Sequence, residues 1–190
     1  MQSKLLRFLF LAVTLFSAVV TSNARNKYLF VYFTGNDPHQ EQISYAVSDD
    51  GFNYTPLNGG KPVVSSDSIA RTGCVRDPHI LRTKNGEFLM VVTDMRSSLG
   101  WASNRGIVLL KSRDLIHWQH HTVHFPEKYA GKNFANVTRV WAPQTIYDEK
   151  AGKYMVYFAT NEADSAANES AKIYYSYTTD FRTFSEKQVL

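Results

Sequence analysis

The chain has 190 residues, and its 21 lysines and arginines outnumber its 17 aspartates and glutamates, which gives a formal net charge of +4. This length suits one domain of ordinary size, and the sequence has no basic tract of the kind that binds nucleic acid. Cys74 is the only cysteine, so no intramolecular disulfide can form. A small buried side chain is favoured for Cys74 over a catalytic thiol.

The N-terminus has the layout of a secretory signal peptide. MQSKLLR supplies two positive charges, FLFLAVTLFSAVV supplies an apolar run, and small residues follow at Ser22 and Ala24. We predict cleavage after Ala24, which makes residues 1–24 the signal peptide and residues 25–190 the folded domain. A membrane anchor is the alternative, but the apolar run is short for a bilayer span. The mature protein is therefore expected to be secreted or periplasmic, with no attachment to a membrane.

Three copies of one pattern then follow each other along the chain. They begin with the apolar runs KYLFVYF, EFLMVVTDM and KYMVYFATN, and each continues through a loop into a second strand-like run. Each copy closes on an aspartate that is followed four positions later by an aromatic residue: Asp50 and Tyr54, Asp114 and Trp118, Asp180 and Phe184. Turn residues bound the runs, and Asn85-Gly86 predicts a hairpin. The pattern predicts antiparallel strands.

A proline-containing strand precedes the second and third copies. These strands read VRDPHILR at residues 75–82 and VWAPQTIY at residues 140–147, and they align through Pro78 and Pro143. Four strands per copy predict an all-β fold of the β-propeller type, in which the proline strand lies innermost in each blade. The first copy lacks this strand, so we expect two complete blades and one partial blade. A β-sandwich with weak internal similarity is the alternative.

These strands and turns resemble the glycoside hydrolase family 43 enzymes. The resemblance covers most of residues 28–190 and rests on VRDPHILRTKNGEFLMVVTD, GIVLLKSRDLIHW and VWAPQTIYDEKAGKYMVYF. It implies a five-bladed ring, of which this chain holds about two and a half blades. The invertase-like family 32 also uses Arg-Asp-Pro, and it needs Asn-Asp-Pro on an innermost strand. Here Asn36-Asp37-Pro38 follows a strand and is interpreted as a turn, so family 32 is less favoured.

The resemblance also implies roles for particular residues. Asp77 matches the general base of the family, and Trp141 opens a Trp-Ala-Pro segment that matches the lining of the substrate pocket. Gln144 stands where the family often has aspartate, and we expect it to shape the pocket. The family also requires an aspartate that tunes the acid and a glutamate that is the general acid. Both would follow Leu190, so we expect the 190-residue chain alone to be inactive.

Several residues near these motifs have both a functional and a structural interpretation. Asp94 follows the second apolar run and is a candidate contact for sugar hydroxyls, although a surface turn is the favoured interpretation. His79 lies two residues beyond Asp77 on the same strand face, so it either reaches the site or packs against a neighbour. Trp141 is either a platform for a sugar ring or part of the core. Arg76 alternates away from Asp77 and is expected to face a neighbouring blade.

The stretch HWQHHTVH at residues 117–124 has four histidines. Neighbouring residues of a strand point to opposite faces, so a metal site is not expected there. We expect no cofactor, because inverting hydrolysis of a glycoside needs only two carboxyl groups and water.

The leading hypothesis is a secreted family 43-type glycoside hydrolase with Asp77 as its base. Its expected partner is an oligosaccharide or polysaccharide, with arabinose, xylose or galactose linkages in plant-type or other side chains, and not a nucleic acid. A non-catalytic carbohydrate-binding propeller and an inactive fragment are the alternatives.

Overall fold

The computed structural model of the protein describes residues 27–132, 135–161 and 171–185, together with the backbone of residues 188–189. The predicted signal peptide, residues 1–24, lies outside the described residues. The described part folds into three antiparallel sheets, which confirms the prediction of an all-β fold. No helix within these ranges is long and apolar enough to cross a membrane.

The three sheets follow the three copies of the sequence pattern. The first sheet contains β1 (Tyr28–Tyr32), β2 (Ser44–Ser48) and β3 (Thr55–Pro56). The second contains β4 (Val75–Arg82), β5 (Phe88–Asp94), β6 (Gly106–Ser112) and β7 (Gln119–His124). The third contains β8 (Val140–Asp148), β9 (Lys153–Thr160), β10 (Lys172–Thr178) and β11 (Gln188–Val189). The other regular elements are the short helix α1 (Phe125–Lys128) and the 3-10 turns Asn58–Gly60, Ser66–Ser68, Ser97–Leu99 and Trp101–Ser103.

Strands that are consecutive in sequence are neighbours in each sheet. The two predicted proline strands are β4 and β8, and each forms one edge of its sheet, paired with β5 and β9 respectively. Within the described residues β1 pairs only with β2. β4 lies against β8, and β1 lies against β4, so these three edges come together.

The aspartate of each sequence copy organises the turn that follows β2, β6 or β10. Asp114 Oδ1 accepts hydrogen bonds from the backbone N–H groups two and three positions further on, at 2.9 and 2.8 Å, and from the Ser112 hydroxyl at 3.1 Å. Asp50 and Asp180 make the same three contacts in their own turns. The shared aspartate is therefore a turn-forming residue, because its side chain satisfies backbone donors that the turn leaves unpaired.

The second sheet has an apolar core on each of its faces. Alternate residues of β5 and β6 enter the two cores, since neighbouring side chains of a strand point to opposite faces. The side chains towards the third sheet are Leu89, Val91, Ile107 and Leu109. The side chains towards the first sheet are Met90, Val92, Val108 and Leu110. Burial on both faces explains why these strands read as continuous apolar runs.

Cys74 is buried immediately before β4, as the sequence indicated. Burial is the largest cause that raises the pKa of its thiol, to about 11. The thiol is therefore protonated at neutral pH, and a protonated thiol is a poor nucleophile.

The two-sided core predicts independent losses of stability from adjacent residues. Leu109→Ala and Leu110→Ala should each lower the free energy of unfolding by about 2–5 kcal/mol, because each leaves a cavity in a different core. Urea denaturation of the two single variants measures both losses. A loss well below this range for either variant would mean that the corresponding face is not packed.

Candidate active site

The two proline strands carry the same irregularity at equivalent positions. The register of β4 with β5 shifts around Asp77, which has φ of +52°. The register of β8 with β9 shifts around Ala142, which has φ of +47°. The prolines that follow, Pro78 and Pro143, have no N–H to donate to the ladder. Such a bulge redirects a side chain, and the positive φ of a non-glycine residue is a strained conformation that clusters at functional sites.

Thr93 of β5 holds the Asp77 carboxylate and joins it to the next sheet. The Thr93 hydroxyl donates to Asp77 Oδ2 at 2.9 Å. The Thr93 hydroxyl oxygen also accepts the backbone N–H of Ala142 at 3.1 Å. Thr93 is completely buried, so water does not compete for its hydroxyl. The two hydrogen bonds fix the two bulges relative to each other, across β4, β5 and β8.

The environment of Asp77 makes it a better proton acceptor than an ordinary aspartate. Burial is the largest cause acting on its pKa and raises it, while the Thr93 hydrogen bond and the positive charge of Arg76 partly oppose the rise. No carboxylate among the described residues contributes to this shift. A carboxylate with a raised pKa is a stronger proton acceptor, which suits general-base catalysis.

Arg76 points away from Asp77 and links the neighbouring sheets, as predicted. It is buried, and its guanidinium donates to Asn36 Oδ1 at 2.8 Å, in the loop after β1. It also lies 3.6 Å from the fully buried Glu41 carboxylate. Glu41 Oε2 in turn accepts the backbone N–H of Ser97 at 3.0 Å. Each buried charge is therefore met by a charge or a hydrogen-bond partner, which a low-dielectric interior requires.

An aromatic pair lies beside the bulge of β8. Trp141 stacks on Trp101 with ring centroids 5.3 Å apart and an interplanar angle of 15°. The Arg76 guanidinium lies 5.4 Å from the Trp101 ring and 5.8 Å from the Trp141 ring. A cavity of 380 Å³ is lined by the two tryptophans together with Ala102, Thr138 and Arg139. Trp141 is thus neither a free platform nor a core residue, but one ring of a stacked pair at a cavity.

His79 lies on β4, which packs against the third sheet, and Gln144 lies on β8 of that sheet. His79 Nδ1 accepts the backbone N–H of Thr145 at 3.3 Å, and burial lowers the pKa of the ring. The neutral imidazole thus connects β4 to β8, which favours the packed interpretation over a substrate contact. Gln144 is exposed, and its Oε1 accepts the hydroxyl of Tyr157 at 2.7 Å. Its contact with substrate stays a prediction.

The predictions for Asp94 need correction. Asp94 is only 2% exposed, so it does not lie in a surface turn. Its Oδ2 accepts the backbone N–H of Arg71 at 3.0 Å, and its Oδ1 accepts both the N–H and the hydroxyl of Thr72. The carboxylate anchors the segment that leads into β4, so it is not placed to contact sugar hydroxyls. The sequence alone does not show whether an aspartate at the end of an apolar run lies in a surface turn, contacts a sugar or anchors a buried segment.

The histidines of residues 117–124 do not converge. His120 and His121 pair with consecutive residues of β6 and therefore point to opposite faces of β7. His117 Nδ1 lies 2.7 Å from Asp114 Oδ2 within a turn. Within the described ranges, no group of three or more metal-binding side chains comes together.

Thr93 and Trp101 are site residues that the sequence did not single out. Thr93 ends the run FLMVVT, where a β-branched residue is an ordinary strand former. Trp101 follows Gly100 in a loop and is 56% exposed. Trp101 could have been recognised from the sequence as a large aromatic residue between turn residues. Nothing in the sequence distinguishes Thr93 from other threonines in strands.

A comparison with known families matches residues 23–190 to the family described as "Probable glycosyl hydrolase domain", which is related to glycoside hydrolase family 43. The chain belongs to this family. The resemblance to family 43 is thereby confirmed, and the chain is a glycoside hydrolase-like domain. It is 27% identical over 173 residues to an α-L-arabinofuranosidase from Bifidobacterium longum subsp. longum, and covers 16% of that protein with 81% of its own length.

Solved glycoside hydrolases share the fold of this domain. An exo-1,5-α-L-arabinanase from a bovine ruminal metagenomic library matches 86% of the chain with a TM-score of 0.55 and 18% identity. A family 117 glycoside hydrolase from Zobellia galactanivorans matches 85% with a TM-score of 0.60 and 16% identity. An α-L-arabinofuranosidase from Fusarium graminearum matches 87% with a TM-score of 0.57 and 18% identity. The glycosyl hydrolase domain covers 51%, 51% and 45% of these chains, which is about half of each.

Asp77→Asn is expected to stabilise the domain at neutral pH. Because the folded-state pKa of Asp77 is raised, its contribution to stability is fully present below the unfolded pKa and is lost as the pH rises through the folded pKa. Asparagine stays neutral, keeps an oxygen for Thr93 and tolerates a positive φ. The variant should have a higher Tm than wild type at pH 7, and the difference should shrink towards pH 3. The exposed residue Asp49 supplies the control Asp49→Asn, and a lower Tm for Asp77→Asn at pH 7 would contradict the expectation.

Thr93→Val tests the hydrogen bonds that hold Asp77 and Ala142. The variant keeps the shape of the side chain but removes the donor to Asp77, so the pKa of Asp77 should rise further. The Ala142 N–H loses its acceptor, which should cost about 1–3 kcal/mol of stability. NMR titration of the Asp77 carboxyl carbon and urea denaturation measure the two effects, and Thr93→Ser should restore both. An unchanged pKa in Thr93→Val would show that Thr93 does not donate to Asp77.

Proposed function

We propose that the protein hydrolyses glycosidic bonds with inversion of configuration, with Asp77 as the general base. The observation that carries the proposal is the half-buried Asp77 carboxylate, which lies at a bulge of β4, the strand that packs against β8, in a chain of the glycosyl hydrolase family. The raised pKa of this carboxylate supports the assignment, because a stronger proton acceptor is the better base.

Asp77 takes a proton from the water that attacks the anomeric carbon. Inversion requires this water to fit beside the base, with the acid on the opposite side of the scissile bond and about 6.5–9.5 Å from the base. The Thr93 hydrogen bond leaves Oδ1 of Asp77 available to accept that proton, since the bond engages Oδ2 alone.

The three sheets are proposed to be blades of a five-bladed ring, with β4 and β8 lining its axis. The meeting of β1, β4 and β8 along their edges supports this arrangement. We propose that the acid and the aspartate that tunes it belong to blades beyond the three described sheets.

The proposed substrates are glycans with arabinose, xylose or galactose linkages, and α-L-arabinosides are the first choice. The Bifidobacterium relative is an α-L-arabinofuranosidase, and two structural neighbours are an arabinanase and an α-L-arabinofuranosidase. The N-terminal sequence pattern supports a secreted or periplasmic location, where such polymers are encountered.

An activated substrate tests the base independently of the acid. Dinitrophenolate leaves without protonation, so the 190-residue chain should release it from dinitrophenyl α-L-arabinofuranoside with the base alone. Asp77→Asn should lower the rate by about 10²–10⁴-fold, the usual contribution of a general base. The wild-type rate should also fall as the pH drops through the raised pKa of Asp77. Asp49→Asn serves as the matched control, and release that Asp77→Asn leaves unchanged would overturn the assignment.

A non-catalytic carbohydrate-binding protein is the second candidate function. The exposed ring of Trp101 beside a cavity favours binding of a sugar whether or not catalysis follows. This function predicts saturable sugar binding that survives Asp77→Asn, together with no release of dinitrophenolate above the spontaneous rate. The activated-substrate experiment therefore distinguishes the two candidates.

A further inference from the structure

We propose that a groove between the second and third sheets binds the anionic group of an acidic sugar, either the carboxylate of a uronic acid or a sulfate ester. The groove is lined by residues of β7, of α1 and of the turn that follows β10. This role does not depend on Asp77, which lies on β4 at the other edge of the second sheet. It gives the domain a binding region apart from the candidate active site.

Two adjoining cavities make up the groove. The first has a volume of 320 Å³ and the second a volume of 420 Å³, and His121 and Arg182 line both of them. The short helix α1 contributes Lys128 to the first cavity, and β6 contributes Lys111 to the second. Cavities of this size lie within the range of small-molecule sites.

The register of β7 turns His121 towards the third sheet. His121 pairs with Leu109 of β6, whose side chain packs in the core between the second and third sheets. Cross-strand partners share one face of a sheet, so the His121 ring points towards the groove, and the neighbouring His120 points away from it. The strand pairing therefore brings a titratable ring into the groove.

Arg182 is a cation of the groove that has no ion-pair partner. Its side chain is exposed, and among the described residues no carboxylate forms an ion pair with it. The nearby Asp180 accepts hydrogen bonds from the backbone N–H groups of Arg182 and Thr183. This turn does not need an arginine, because Phe52 and Ile116 occupy the same position in the equivalent turns. The guanidinium is therefore available for a ligand.

Lys128 places a second positive charge beside the same turn. Its Nζ donates to the neutral backbone carbonyl of Phe184 at 3.3 Å. An ammonium group has three donors, so two remain. Within the part of the chain that the structure describes, no carboxylate pairs with Lys128. Hydrogen bonds between such cations and an oxyanion are among the strongest that proteins make, which favours an anionic ligand.

The imidazole of His121 reports the charge of the groove. Burial is the largest cause that lowers its pKa, and three positive groups lower the pKa further: Arg182, His120 and Lys128. The charge of Asp180 acts in the opposite direction. His121 is therefore neutral at pH 7 in the free protein. A bound anion favours the charged form of the ring, so it should raise the pKa of His121 and bind more tightly at lower pH.

His124 supplies a polar atom that lacks a partner. Its Nδ1 is buried without a hydrogen-bond partner among the described residues, and His124 lines the first cavity. The Glu127 carboxylate lies 3.7 Å away, and Arg71 already donates to the same oxygen. Buried polar atoms are normally paired, so this nitrogen marks a place where a ligand completes the lining. A sugar hydroxyl can donate and accept, so it fits the nitrogen in either tautomer.

A glycan is the carrier of the anion that these groups fit best. The two cations account for one carboxylate or sulfate, which fills only a small part of the two cavities. Polar side chains such as Gln119 and Thr183 line the remaining space and can bind sugar hydroxyls. The domain also belongs to a family of glycosyl hydrolases.

Four matched ligands test the groove by NMR. Galactose, galacturonate and galactose 6-sulfate share one ring and differ at C6, and inorganic sulfate is the free ion. The histidine ring signals of the 190-residue chain are followed at constant ionic strength. At least one acidic sugar should shift the His121 signals and raise the pKa of that ring, whereas galactose should not. His39, exposed in the loop after β1, is the internal control and should not respond.

Charge variants separate the groove from a general effect of positive charge. Arg182→Gln and Lys128→Gln should each weaken binding of the acidic sugar about tenfold, the equivalent of one charge-assisted hydrogen bond. Lys61→Gln removes one exposed charge near the first sheet and should leave the affinity unchanged. Arg182→Gln should keep the Tm of the parent, because the equivalent turns form without arginine. An affinity that Arg182→Gln leaves unchanged would overturn the proposal.

The identity of the ligand has its own decisive outcomes. Tighter binding of one acidic sugar than of inorganic sulfate supports a glycan and identifies the anion as carboxylate or sulfate. Inorganic sulfate that binds as tightly as both acidic sugars would overturn the assignment to a glycan, and a His121 ring that responds to none of the anions would overturn the groove as a binding site. Release of dinitrophenolate reports on Asp77 alone, so the hydrolysis and the groove can fail separately.

Discussion

The hydrogen bonds through the Thr93 hydroxyl are the contacts on which the site depends. The carboxylate of a strained residue on an edge strand can rotate unless a neighbouring group holds it by a hydrogen bond. Thr93 donates to Asp77 and accepts from the backbone of Ala142, so one buried oxygen sets the distance between two bulges. Each bulge lies next to a proline at the same position of the repeat, so the same backbone irregularity occurs twice. In β4 the bulge directs a carboxylate, and in β8 it brings an aromatic pair to the same edge.

Arg76 provides the second connection between the sheets. Burying a guanidinium costs free energy, and a partner carboxylate recovers that cost only when its own remaining hydrogen bonds are satisfied. Glu41 meets this condition through the backbone and side chain of Ser97. The charge of Arg76 also lowers the pKa of Asp77, against the effect of burial. The same residue therefore joins the sheets, lies beside Trp101 and restrains the pKa of Asp77.

Stability and chemistry make opposing demands around β4. The positive φ of Asp77 and the partial burial of its carboxylate both cost free energy. The second sheet offsets this cost because β5 and β6 bury apolar side chains on both faces. The site lies at the edge of the most completely packed sheet, where the surrounding structure holds a strained conformation in place.

The sequence by itself determined the strands, their antiparallel order, the repeated aspartate turns and Asp77 as the carboxylate before a proline. These features depend on local properties: an apolar period, a missing N–H, and a side chain that bonds to its own turn. It did not determine Thr93, Trp101 or the role of Asp94, because their contacts join segments that are far apart in the chain. Threonine in a strand and aspartate at its end look alike wherever they occur. Only the packing of the three sheets decided that the Thr93 hydroxyl reaches Asp77 and that the Asp94 carboxylate already accepts hydrogen bonds from Arg71 and Thr72.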